Sequence, residues 1–432
     1  MNRNIMLFAG VGALYVATGL FYSWNLSLNI LNLGLLSAIM ALGVNMQWGY
    51  AGLFSTGIMG SVALGGLAVV LIAGNPVPAG WAAGGPRITG ALVFAVVAIA
   101  GIAALYRKLS PGRGRAVIMA VVIVAAFAVY RLILDPGVVA VEANNPANAG
   151  NIGGLGWNPL IAWPVGALVA AAAAWVIGKV ALGLREDYLA IATLGIAEIV
   201  VAVLKNEDWL TRGVKNLNIT QRPWPVPYEV DLQVDPTFIS FASNFSSDLI
   251  TTSTIVVKLL YVLMFTIVLL GLIWMSERAL KSPWGRMMRA IRDNEIAASA
   301  MGKDVTRRHL QIFIIGSAVV GLAGAMYTSM VSQINPGEYS PLRYTFLIWV
   351  MVIVGGSGNN WGAVLGGLLL GWLWLIVEDA GPRIMALVTM YMPDGSLKQH
   401  LVDSAAHLRL VTLGVVLLLV MRFSPRGLIP EK

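Results

Sequence analysis

The sequence predicts an all-α, polytopic transmembrane helix bundle of about 10–12 helices with both termini in the cytoplasm. Composition is the first reason. Of 432 residues, 58% are hydrophobic and 12% charged, against roughly 25% charged in soluble domains. A compact soluble fold could not cover its surface with so few charges, and a chain this apolar is not disordered. The second reason is a series of twelve apolar runs, most of them near the roughly 20 residues that cross a bilayer. The third is charge placement. With the N-terminus inside and the runs alternating, inside loops hold seventeen basic residues and outside loops seven, as the positive-inside rule requires. The net charge of +8 then belongs to cytoplasmic loops rather than to a nucleic-acid surface.

The runs are 5–22, 25–46, 51–73, 88–105, 116–134, 159–182, 188–204, 255–276, 311–333, 343–355, 361–378 and 407–421. The first follows Arg3 and resembles a secretory signal. No small-residue cleavage site follows it and the next run begins at once, so it reads as a membrane helix. The run 25–46 carries Asn29, Asn32 and Asn45, suited to hydrogen bonds between helices. The run 51–73 opens inside the glycine-rich stretch Gly49–Gly57. The runs 88–105 and 116–134 form a helix pair, and the Asn/Gly-rich loop 135–158 follows. The run 188–204 carries Thr193 and, mid-span, Glu198. A carboxylate facing lipid would cost several kcal/mol, so Glu198 is expected to face protein or water, either paired with a donor or lining a solute route. The short run 343–355 leads into a second glycine-rich break, Gly355 to Gly362, which includes Gly358. Irregular backbone at membrane depth is tolerated only inside protein or beside a water-filled cavity, and paired breaks in two halves of a chain point to a transport pathway. Arg131, Lys179, Lys258 and Arg409 lie near span ends and can snorkel.

Two loops are too large to be turns. The external loop 205–254 contains Trp209, Trp224 and Pro223, Pro225 and Pro227; it is either a lid on the helix ends or a docking surface. The cytoplasmic loop 277–310 reads as a capped helix at the membrane surface. Ser282 suits the N-cap, Pro283 the first helical position and Gly302 the left-handed C-terminal residue, with Met301 the last of the helix. Met287, Ile291, Ala298 and Met301 fall near one face, and Asp304 can cap the next helix. The loop either lies on anionic lipid or fits a groove on a cytoplasmic protein.

The chemistry of catalysis is missing. There is no cysteine, no HExxH, and no G-x-x-x-x-G-K-[ST] phosphate loop, since Gly178-Lys179 and Gly302-Lys303 lack its other residues. His309, His400 and His407 are the only histidines. No enzyme site or metal site is expected, and no cofactor in this chain.

The run Leu184-Arg185-Glu186-Asp187-Tyr188-Leu189-Ala190-Ile191-Ala192-Thr193-Leu194-Gly195, followed by Glu198-Ile199-Val200, resembles the hallmark of LivM-type permeases, the membrane subunits of branched-chain amino-acid ABC importers. Trp284-Gly285-Arg286, Arg289 through Ala298, and Gly302 resemble that family's coupling loop. Val354 through Gly358, Arg422 through Leu428, and Ala41–Asn45 with Gly49–Ser55 are similar as well. The likeness covers 25–75, 159–220 and 255–432; residues 75–158 depart from the pattern and 379–406 are lengthened.

The resemblance implies a single permease domain over 1–432, with 75–158 as an extra region. It implies a second related permease, two cytoplasmic ATPases that bind ATP and Mg, and a periplasmic binding protein docking on the outer loops. The setting it implies is a bacterial inner membrane. Coupling to the ATPases is assigned on this basis to Arg289, Glu295, Ala298 and Gly302, with Met287 and Met301 as adaptable apolar contacts. The pathway is assigned to Glu198, Thr193, Asn45, Gly355 and Gly358. Urea and short amides are alternative cargoes. The rival mechanism is a secondary transporter with Glu198 as its proton-linked carboxylate.

Overall fold

The computed structural model describes residues 3–145, 150–244, 248–393 and 395–431. Helices α1 (Arg3–Phe21), α2 (Trp24–Ala51) and α3 (Ile58–Ala73) precede a long hairpin, α4 (Pro78–Lys108) and α5 (Arg113–Ala143). Next come α6 (Pro159–Ala181), α7 (Glu186–Asn206), a short α8 (Asp208–Thr211), β1 (Leu217–Asn218), α9 (Glu229–Val234) and α10 (Pro236–Ser243). The second half holds α11 (Leu249–Lys281), α12 (Pro283–Asp293), α13 (Glu295–Ala300), α14 (Val305–Val331), β2 (Gln333–Ile334), α15 (Leu347–Gly355), α16 (Asn360–Val388), α17 (Ser396–Asp403) and α18 (Leu408–Phe423).

Among the described residues, nine helices are long and apolar enough to cross a membrane, or ten if α17 and α18, bent by 68°, make one span. Two shorter apolar helices, Ile58–Ala73 and Leu342–Gly355, complete the series. Each of the twelve apolar runs therefore contributes a helix of its own, the run 51–73 only from Ile58 onward. The core is built from α2, α3, α14, α15 and α16, where Ala38, Ile39, Leu42, Met59, Met326 and Met351 are sealed from solvent. Small residues let these backbones approach; a Cβ on Gly355 would overlap the carbonyl oxygen of Gly362 on α16.

Loops gather at two ends. At one, Arg3 donates to Leu428 O (3.0 Å), and Leu428 N and Ile429 N donate to Val354 O and Gly355 O (both 2.9 Å). Both termini therefore meet the second glycine break and the loop 282–304. At the opposite end, β1 pairs antiparallel with β2, Leu217 opposite Ile334. There Ile152 N donates to Trp209 O (2.9 Å). The loop 205–254 thus forms a folded cap of α8 to α10 and β1.

Three expectations change. Helix α2 runs unbroken to Ala51, and the first glycine break is confined to 52–57, ended by Gly52 in the left-handed region. Helix α5 continues to Ala143, shortening the loop predicted over 135–158, of which 146–149 lie outside the described residues. The α4–α5 pair joins the body through one end only, where Ile88, Ala91, Leu134, Val141 and Trp209 cluster; farther along, Val96, Val121, Val124 and Phe127 face outward. The single helix predicted from 283 to 301 is two helices. Asn294 takes an extended conformation and its side chain accepts from Ala297 N (2.9 Å), so it ends α12 and caps α13. An Asn at that point competes with the helical backbone for its own hydrogen bonds.

Candidate functional site

The end of α2 and the second glycine break meet in a buried polar junction. Asn45, near the end of α2, accepts from Gly358 N (2.9 Å) and donates to Asn360 Oδ1 (3.4 Å). Asn360, at the start of α16, is fully buried and uses every bonding group it has. Its Oδ1 also accepts from Tyr50 Oη (3.1 Å), while its Nδ2 donates to Ser276 Oγ and Glu277 Oε1 on α11 (both 3.0 Å). An amide with both ends satisfied is tolerated in a core; one partner removed would leave the rest orphaned. Asn45 and Gly358 are thus brought together, with Gly355 one turn away on α15.

The loop α12–α13 is tied to this junction. Arg292 Nη1 donates to Gly49 O (2.5 Å), the last turn of α2, and to Glu431 Oε2 (2.9 Å) in the C-terminal tail. Its Nη2 lies 3.2 Å from Asp293 Oδ1. The tail is fixed in turn by Asn359 Nδ2, which donates to Pro430 O (3.2 Å). Arg289 donates to Leu280 O (3.4 Å), holding α12 against the end of α11. Ser282 stands at the N-cap before Pro283 as predicted, but its hydroxyl donates back to Ala279 O (2.6 Å) instead of capping.

The faces of the loop divide differently from the prediction. Ile291, Ala298 and Val305 form a small buried cluster with Met287 packed on it. Met301 stands apart from that cluster, 80% exposed, and Ile296 is 84% exposed. Glu295 is exposed at the start of α13. Gly302 has φ +75°, the left-handed conformation expected, with open space where a Cβ would stand. Asp304 caps α14 by accepting from Arg307 N (3.0 Å).

Helix α7 places its two assigned residues on opposite sides. Thr193 is buried; it accepts from Thr56 N (3.1 Å) and lines a cavity of about 20 Å³ with Gln47, Ser55 and Ser317. Glu198 does not turn inward. It lies exposed beside Ile199 and Gly195 on the lateral face of the chain. A helix positions residues five apart about 140° from each other, so α7 could bury Thr193 or Glu198 against the bundle but not both. The apolar side chains Leu189, Ala197 and Val201, which share Thr193's face, decide for Thr193.

The sequence analysis did not single out Asn360 or Arg292. Asn360 was legible as a polar residue at a glycine break, and Arg292 as one of three arginines on α12; nothing local separates Arg292 from Arg286 or Arg289, because its partners lie 243 and 139 residues away. Among the described residues no group of His, Cys, Asp and Glu could hold a metal ion.

Residues 147–421 match the family described as "Branched-chain amino acid transport system / permease component". The chain is 26% identical to the probable branched-chain amino acid transport permease protein LivM of Methanocaldococcus jannaschii, over 91% of this chain and 90% of that one. It is 28% identical to the high-affinity branched-chain amino acid transport system permease protein LivM of Salmonella typhimurium, over 68% of this chain and 62% of the relative, which is under two thirds of its length. It is also 26% identical to the high-affinity permease protein LivH of Escherichia coli, over 56% of this chain and 75% of that one. No solved structure matches.

Proposed function

The chain belongs to the branched-chain amino acid transport system permease family, and from that premise we propose that it carries branched-chain or other small amino acids through the membrane as one of two permeases in an ATP-driven importer. Two cytoplasmic ATPases would bind ATP and Mg and supply the energy, and an external binding protein would deliver the solute to the folded cap of α8 to α10. The family places the chain in a multi-pass membrane setting; the bacterial inner membrane is the compartment proposed. The end carrying α12, α13 and both termini faces the cytoplasm, because it gathers the basic loops.

One observation carries this reading: the loop α12–α13 is bound to the helix breaks and presents apolar side chains outward. Ile296 and Met301 stand exposed on a charged loop, as a knob for a groove on an ATPase would. Gly302 sets the chain reversal behind them. Arg292 joins α12 to the last turn of α2, Arg289 joins it to α11, and Asn360 joins α2 and α11 to α16. Displacement of α12 by nucleotide-driven closure therefore moves three spanning helices at once. The buried Ala298 anchors α13 and Met287 packs α12 on the cluster beneath, while Glu295 stands exposed at the start of α13 for contact with the ATPase.

Glu198 supports a route at the seam between the two permeases. A mid-helix carboxylate on the lateral face is costly against lipid, so the second permease or pathway water covers it. The experiment is reconstitution. The complete assembly with binding protein and MgATP takes up leucine; this chain alone, given a proton or sodium gradient, does not. Gradient-driven uptake by the chain alone would establish the secondary transporter instead, and uptake of urea but not leucine would reassign the cargo.

A further inference from the structure

A second polar site lies in the half of the bundle away from α12. Arg343 and Tyr344 belong to the i→i+5 turn Leu342–Phe346, which precedes α15; such turns recur at functional sites. Both residues line a cavity of about 40 Å³ between α2, α14, α15 and α16. The Arg343 guanidinium sits over the rings of Tyr344 and Tyr327, 5.3 and 5.9 Å from their centroids. Among the described residues it has no hydrogen bond and no ion pair. The two carboxylates whose charge reaches it have partners of their own: Glu378 pairs with Arg409 (2.8 Å), and Glu338 accepts from Tyr327 Oη (3.4 Å). The Tyr344 hydroxyl is buried and, among the described residues, no group stands at hydrogen-bonding geometry to it, Tyr327 being the polar side chain beside it.

Ring faces attract a guanidinium but satisfy none of its five N–H donors. An orphan phenol beside it repeats the deficit. What completes both is a planar anion with two oxygens, since a carboxylate takes two parallel N–H bonds from arginine and has lone pairs left for a hydroxyl. The remaining walls are mostly apolar, with Leu33, Leu36, Met40 and Met351 among them, and Ser37 and Trp374 add one small polar group each. We propose that Arg343 and Tyr344 form a carboxylate-binding site for aliphatic amino acids inside this permease. The inference rests on the proposed cargo and specifies what recognises it. The present space holds a carboxylate-sized group, a water's share of liquid being about 30 Å³, so the side chain of the ligand enters when the apolar walls part.

The test uses the assembled transporter in lipid nanodiscs, without nucleotide or binding protein, and measures radiolabelled leucine and isovalerate. Isovalerate keeps the carboxylate and lacks the amine; isoamylamine is the reverse. In the wild type, isovalerate displaces leucine and isoamylamine does not. Tyr344→Phe, which keeps the ring and loses only the hydroxyl, weakens both ligands about tenfold. Arg343→Gln abolishes isovalerate binding, and Arg343→Lys restores part of it. Unchanged isovalerate affinity in Tyr344→Phe and Arg343→Gln, equal competition by isoamylamine, displacement by chloride, or no saturable isovalerate binding by the wild type would each overturn the site. Arg343-dependent isovalerate binding in a transporter that takes up no amino acid with ATP would sustain the site and overturn the cargo. Leucine uptake indifferent to Arg343→Gln would do the opposite.

Discussion

Arg292 and Glu431 offer the sharpest test of how motion leaves the loop α12–α13. Besides its contact with the adjacent Asp293, Arg292 makes two charge-assisted bonds to distant groups, at 2.5 Å to Gly49 O and 2.9 Å to Glu431 Oε2. Hydrogen bonds to charged groups contribute about 1.5–3 kcal/mol each when shielded. Here the two side chains are 24% and 32% exposed, so screening leaves the pair itself about 0.5–1 kcal/mol. Arg292→Gln loses the pair and the tie to α2, for a total of about 2 kcal/mol. Glu431→Gln keeps an acceptor oxygen and loses about 0.5–1 kcal/mol. Because the charge contribution of the tail bond is lost once either partner is changed, the double variant falls short of additivity by about 0.5–1 kcal/mol. The assay is leucine taken up per ATP hydrolysed in proteoliposomes, beside denaturation of the purified complex. Arg292→Gln is expected to hydrolyse ATP while uptake per ATP falls severalfold. Effects additive to within about 0.3 kcal/mol, or an unchanged uptake ratio in Arg292→Gln, would refute the reasoning.

Three further outcomes follow from the same geometry. Gly302→Val meets no neighbour but forces a β-branched residue to φ +75°, at about 1–2 kcal/mol; membrane abundance stays normal and uptake per ATP drops, whereas normal coupled uptake rejects the role of this turn. Ile296→Asp places a charge on the exposed knob, and ATPase affinity in pull-down titrations falls about tenfold or more with the melting temperature of the chain unchanged; full affinity would put the ATPase contact elsewhere. Glu198→Gln alters the rate or pH profile of uptake if the residue lines the seam, and identical uptake across pH reduces it to a structural group.

The spans were legible because their signal is local. Runs of apolar residues need no partner to be recognised, and the caps at Asn158, Asp248 and Asn359 each bond a backbone N–H within three residues. The coupling loop was legible in part for the same reason: Pro283, Gly302 and Asp304 act on their own turns. Its break was missed because Asn294 sits in a run that otherwise reads as helix, and only the capping bond to Ala297 N reveals the interruption. Glu198 was misdirected because a uniformly apolar helix carries no periodic signal for which face turns inward. Asn360, Arg292 and Arg343 depend on groups from distant elements, so residue type alone could not single them out. The α4–α5 pair was legible as an extra hairpin, while its attachment at one end follows from Trp209 on α8, far along the chain from its cluster neighbour Val141.

The account rests on α12–α13 being a lever that faces the cytoplasm. The chain has no cysteine and Ala297 is exposed on α13, so Ala297→Cys supplies a single reporter there. A membrane-impermeant maleimide should modify it in inside-out vesicles, with bound ATPases slowing the reaction, and should leave it untouched in intact cells. Modification from the outside of intact cells would contradict the orientation and with it the lever.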